Sequence, residues 1–249
     1  MKKLWVIARK DVGEAFRSRS LYIFIVVMVV ITISYISSYT SQVQALTNQN
    51  ASKQTIDNFS HNFFNTLAYI LPMMYSIFIC SIFANYSVIV DKAKRTIESL
   101  MASPVSVIEV WIGKSLAVAV PSFVVGIAIA IIAYIIMNFG FVVPKTGSFV
   151  VPDVLAIITA IIIIPVLIFA IVTVVIYIQL VITNPRIANF VFTGIFIILV
   201  VGVNALGGLG LSISFMPLVF LGVIVLCALI SLILSRSLTT EKVLLSSKV

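Results

Sequence analysis

Gly113-Lys114-Ser115 is the first triplet in this sequence that chemistry could use, because a phosphate-binding loop ends in Gly-Lys-Ser. The full motif needs another glycine five residues before Gly113, but Ile108 stands there and no strand precedes it. The triplet is read as chance, and the chain is expected to bind no nucleotide itself. Metal chemistry fares no better. His61 is the only histidine and lies in a polar stretch, while Cys80 and Cys227 sit inside apolar runs, as packing residues rather than a disulfide or metal pair. No cofactor, metal site or catalytic constellation is expected.

The elements that would have to position any chemistry are plainer. Of the 249 residues, 61% are hydrophobic and only 10% charged, with mean hydropathy +1.23. A soluble domain carries about a quarter charged residues, so a soluble reading fails. Apolar runs of membrane-spanning length recur without sustained period-2 alternation, which argues for helices and against a β-barrel. The expected fold is all-α: a polytopic membrane bundle of six transmembrane helices, preceded by an amphipathic interfacial helix. The net charge of +8 does not imply nucleic acid, because the charges fall between apolar runs, where they face anionic lipid.

Residues 1–20 carry Leu4, Trp5, Ala8, Val12, Ala15 and Phe16 on one helical face, with Lys2, Lys3, Arg9, Lys10 and Arg17 opposite. That pattern predicts a helix lying in the inner interface. The membrane domain, 21–235, divides into spans at about 21–39, 66–90, 115–139, 154–182, 187–203 and 215–234. A polar outer loop is expected at 40–65 and a charged inner loop at 91–114, with residues 236–249 as a polar tail. Pro165 makes the fourth segment either one kinked helix or a short outer helix followed by the span. With the N-terminus inside, fourteen of the sixteen Lys and Arg residues are cytoplasmic, and only Lys53 and Lys145 face out. The positive-inside rule therefore places both termini in the cytoplasm.

No ionisable residue falls squarely within a predicted span; Lys114, Asp153 and Arg186 stand at their ends. Ion-coupled carriers usually keep one near mid-membrane, so energy is expected to enter from outside the bilayer. Polar groups within spans that could line a pathway are Thr32, Ser34, Ser37, Thr173, Tyr177, Asn189, Thr193 and Asn204. Each could equally bond a neighbouring helix. Ser122, Gly126 and Ala130 form a small-residue strip on the third span that permits close helix approach, and Asn50 and Asn58 begin glycosylation-type triplets.

The most informative stretch is the inner loop, DKAKRTIESLMASPVSVIEVWIGK, Asp91 to Lys114. Residues 96–102 predict a short helix that ends before Pro104, with Ile97, Leu100 and Met101 on one face. Such a helix suits docking to a cytoplasmic partner or resting on lipid. The loop resembles the one between the second and third spans of type-2 ATP-binding-cassette permeases. There a charged run leads into Gly-Thr-x-Glu, a leucine pair, a Pro-Val-Ser turn and Gly-Lys. Thr96, Glu98, Leu100, Met101, Pro104, Val105, Ser106, Gly113 and Lys114 match; Arg95 replaces the usual glycine, and Asp91 stands where glutamate is commoner. The basic start with Arg17-Ser18-Arg19, the six spans and the Glu241-to-Leu244 tail also agree, the tail being similar to that of sodium- and drug-efflux members.

The resemblance implies an exporter permease, with ATP and Mg2+ bound by a separate cytoplasmic ATPase present in two copies. A second permease chain is implied, a homodimer favoured over a heterodimer, in the plasma membrane of a prokaryote. It assigns Arg95, Thr96, Glu98, Leu100, Met101 and Pro104 to coupling with that ATPase, and Trp5, Phe16, Arg17 and Arg19 to the interfacial helix. The competing expectation is a gradient-driven carrier or channel that works without an ATPase.

Overall fold

The computed structural model describes residues 13, 19–94, 106–147, 149–182, 194, 197–198, 215–239 and 241–243. Among them there is no strand, and five helices are long and apolar enough to cross a membrane. The chain is thus a polytopic helical bundle. The predicted interfacial helix lies almost wholly outside the described residues, as does most of the predicted fifth span.

Helix α1 is Arg19–Asn48. Met28, Tyr39 and Val43 are buried along one side, with Thr32, Tyr35 and Ile36 partly covered between them. Those positions recur every three to four residues and form one stripe. At about 1.5 Å per residue α1 reaches well past a hydrocarbon layer of about 30 Å. Helix α2 begins at Lys53 and is α-helical to Ala84. The loop expected at 40–65 is therefore largely helix, with a turn only at residues 49–52. Asn50 takes the left-handed conformation (φ 53°) that reverses the chain, and the Ser52 hydroxyl caps α2 by accepting from Thr55 N at 3.2 Å. Polarity there marks the depth at which the helices leave the hydrocarbon, not the end of helix. Tyr39 packs on Phe59, Phe63 and Phe64, with ring centroids 5.2–6.1 Å apart, and shares a 2.9 Å hydrogen bond with Ser60 Oγ.

α2 continues through a π turn, Asn85–Val90, to Asp91–Ala93. Helix α3 is Val107–Met137, continued by a second π turn, Asn138–Val142, and a last turn, Val143–Thr146. Helix α4 comprises Val154–Ile158, a π turn Thr159–Ile163, and Ile164–Val181. It is one continuous bulged helix: Pro165 has no N–H to donate and its ring crowds the carbonyl four residues back, and the wider turn just before it absorbs the misfit. Helix α5 is Met216–Ser237, with Pro217 in its first turn, where a missing N–H costs nothing.

α2, α3 and α4 pack mutually; α1 lies against α2, and α5 against α4. The α2–α3 contact is the closest. A Cβ on Gly126 would stand 2.7 Å from the backbone nitrogen and 2.8 Å from the Cα of Ser76, so only glycine fits. Ser122, Gly126 and Ala130 are all buried, and at Gly126 the strip serves packing within one chain.

Candidate coupling site at the junction of α2 and α3

Ser106 starts α3 with a reciprocal cap. Its hydroxyl accepts from Glu109 N at 3.2 Å, while Glu109 Oε2 accepts from Ser106 N at 2.9 Å. Two amides with no helical partner are thereby satisfied, and the first turn is fixed in register. Two turns on, Lys114 is fully buried, and its ammonium lies 2.7 Å from Asp91 Oδ2 at the end of α2. Lys114 Nζ also donates to the carbonyl of Ser87, within the π turn Asn85–Val90. The turn thus contributes an acceptor beside the carboxylate. Charges this deeply covered persist only with partners, since an unpaired one costs several kcal/mol, about 3–5. The Gly113-Lys114-Ser115 triplet lies inside α3, its lysine committed to Asp91.

Neighbouring contacts draw α4 and α5 to the same end. Lys92 Nζ donates to the carbonyl of Ile182, just past α4, at 2.9 Å, and burial pushes its ammonium down to about 8. Trp111 Nε1 donates to the carbonyl of Thr173 at 2.8 Å, and its ring meets Tyr177 edge-on at 6.0 Å. Thr173 Oγ1 is 3.1 Å from Ser231 Oγ, and Tyr177 pairs its hydroxyl with Ser237. Lys242 Nζ closes the series on the carbonyl of Ser237 at 2.9 Å. Four helix ends therefore meet where residues 95–105 connect α2 to α3.

The predicted coupling residues Arg95, Thr96, Glu98, Leu100, Met101 and Pro104 lie outside the described residues, as do Trp5, Phe16, Arg17, Asn189, Thr193 and Asn204; Arg19 opens α1. Of the polar residues suggested as lining, Thr32 bonds the Met28 carbonyl and the Tyr75 hydroxyl, while Thr173 and Tyr177 tie α4 to α5. Those three hold helices together. Ser34 and Ser37 remain exposed on α1. His61 is not in a loop but on α2, its Nε2 3.5 Å from Asp153 Oδ1. Both cysteines are free, Cys80 buried and Cys227 half-buried.

The Asp91–Lys114 pair was not anticipated, yet its signal was present. Asp91 directly follows one apolar run and Lys114 directly precedes the next. Antiparallel helices joined by a short segment bring two such positions to the same depth.

A bundle of membrane-length helices, cross-tied by charge at one end and free of strand among its described residues, defines a polytopic helical membrane protein. The family description "ABC-2 family transporter protein" matches residues 5–216. The chain belongs to that family and is the membrane permease subunit of an ABC transporter, which works with an ABC ATPase subunit. No curated protein and no solved structure matches it.

Proposed function

We propose that the chain is half of an exporter: two copies form a pathway, two copies of a separate ATPase drive it, and it moves an amphiphilic drug-, lipid- or ion-like substrate outward by alternating access. Both termini face the cytoplasm of a prokaryotic cell, as the charge distribution favours. Residues 95–105 dock on the ATPase, with Glu98 at the contact. The observation that carries this reading is the Asp91–Lys114 pair together with the Ser106 cap. They fasten both ends of the docking segment to α2 and α3, so its displacement moves two helices rather than bending a loop. Export requires inward- and outward-open states that the ATPase biases unequally. Ser34 and Ser37, uncovered on α1, are the lining candidates favoured by their exposure.

The test is a pull-down of tagged chain from mild detergent, native against Glu98→Lys. Recovery of an ATPase of roughly 25–35 kDa, the size of one to two domains, and its loss in the variant supports docking at Glu98. Glu98→Ala is expected to leave ATP hydrolysis but lower transport per ATP at least about tenfold, the effect of about 1.4 kcal/mol of lost coupling. Unchanged transport in that variant removes Glu98 from the mechanism. Gradient-driven flux by the chain alone in liposomes would favour the carrier or channel reading instead.

A further inference from the structure

At the end of the bundle opposite the ion pair, α2, α3 and α4 each present an alanine to one space: Ala68, Ala130 and Ala160. Three short side chains facing each other leave a pocket of about 250 Å³. Its walls are apolar, with Pro72 and Pro152 among them. The one polar side-chain atom among the lining residues, the Tyr134 hydroxyl, is engaged with the Val150 carbonyl at 3.2 Å. The π turn Thr159–Ile163 supplies Ala160 and Ile161, so the widened turn of α4 shapes one wall.

The pocket opens sideways. Ile131 and Ile135 of α3 and Ile157 and Ile161 of α4 border it, and all four are exposed. Exposed isoleucines on membrane-length helices face hydrocarbon. Water is a poor occupant, because it needs two or more polar partners and the walls offer none to spare. A hydrocarbon chain entering from the bilayer fits both the walls and the opening.

The rim adds a second, independent feature. Asp153 follows Pro152 directly; its Oδ2 accepts from Asn65 Nδ2 at 2.6 Å, its own N–H donates to Asn65 Oδ1 at 2.8 Å, and its Oδ1 lies 3.5 Å from His61 Nε2. This pairing holds the carboxylate in place, yet its side chain is 58% exposed. A fixed, accessible anion beside an apolar slot is complementary to an ammonium joined to a chain.

We propose that this pocket binds one acyl chain of a membrane phospholipid bearing a primary-amine head group, with the ammonium paired to Asp153. The chain completes the packing of α2, α3 and α4 where three alanines leave it open. Assignment to the outer leaflet rests on the orientation proposed above; binding itself does not, and the test below is blind to orientation and to transport.

The full chain is placed in nanodiscs of mixed ethanolamine and glycerol phospholipids, with trace phospholipid of either head group carrying a photoactivatable acyl chain. Adducts are mapped after digestion. The expected result is adducts concentrated on peptides containing Ile131 and Ile135 or Ile157 and Ile161, at least about threefold more with the ethanolamine head. Ala160→Phe should reduce these adducts to the level found on α5, and Asp153→Asn should equalise the two head groups while keeping the adducts. Ala68→Leu, at a partly exposed wall position, serves the same purpose if Ala160→Phe fails to elute as a folded species. Adducts spread evenly around the belt, or unmoved by either filling variant, overturn the site; head-group preference unchanged in Asp153→Asn overturns the role of the carboxylate.

Discussion

The centre and the flanks of this bundle are held by different means. In α2, 83% of the most apolar 18-residue stretch is buried, against 11% for the helix of α1 and 6% for α5. α2 is pressed against α3 at Gly126 and Ser76 and cross-tied by Asp91 and Lys114. α1 and α5 are attached by one stripe each and by hydroxyl pairs, Thr32–Tyr75 and Tyr39–Ser60 on one flank, Thr173–Ser231 and Tyr177–Ser237 on the other. Lipid is as apolar as leucine, so close steric fit and polar bonds, rather than burial from water, decide which helices stay together. The centre has both, whereas the flanks have mainly the second. α2 and α3 are therefore the pair that, under the proposed function, would carry a push as one unit, whereas among the described residues α1 and α5 are the more exposed helices.

The largest expected effect comes from cutting the centre's ion pair. Asp91→Ala leaves Lys114 buried without its carboxylate and should cost about 3–5 kcal/mol, read as loss of a cooperative thermal transition in detergent. Asp91→Ala combined with Lys114→Met should recover part of that loss, because no buried charge remains. If the single variant melts like the native chain, the centre does not depend on the pair. Next is Gly126→Leu, whose side chain must displace the backbone of α2 and should cost about 1–3 kcal/mol; pairing it with Ser76→Ala should not rescue it, since backbone atoms lie in the way.

A smaller effect is expected at the flank. Thr173→Ala with Tyr177→Phe should cost only about 1 kcal/mol in all, yet speed thiol labelling of half-buried Cys227 on α5 while buried Cys80 on α2 stays protected. Equal acceleration at both cysteines would dissolve the distinction between centre and flank.

The last effect is electrostatic and shows only as a dependence on pH. Lys92 falls from 10.5 when unfolded to about 8 when folded, through burial. Below pH 8 both states hold the proton and the folded state bears the full cost. Between about 8 and 10.5 the unfolded state binds more protons, so this group's contribution makes stability rise with pH. The native chain should therefore gain stability over that window relative to Lys92→Met, measured as a difference in melting temperature.

The apolar runs made the class and most spans readable from sequence, since a bilayer imposes length and composition so strongly. The helical character of residues 40–65 is not legible from composition, because Ser, Asn and Gln signal polarity, which a helix emerging into water tolerates. The better clue there was the spacing of Phe59 and Phe63, one turn apart and facing Tyr39. The π turns were only partly legible: Pro144 and Pro165 each stand two residues past the end of one, while no such residue follows Asn85–Val90. At the candidate site, Glu109 three residues after Ser106 spelled the cap in plain sequence, and the closing pair was visible only once the two run boundaries were set side by side.

The ion pair also bears on how the protein is made. Asp91 and Lys114 are separated by only 23 positions, so their encounter needs little loop entropy and no helix from later in the chain. Synthesis runs from the N-terminus, and α2 with α3 can close as a hairpin while α4 is still being added. Neither charge then waits in hydrocarbon for a distant partner. The order of residues along the chain is thus also an order of assembly: the helices tied by charge are joined before α4 and α5 arrive.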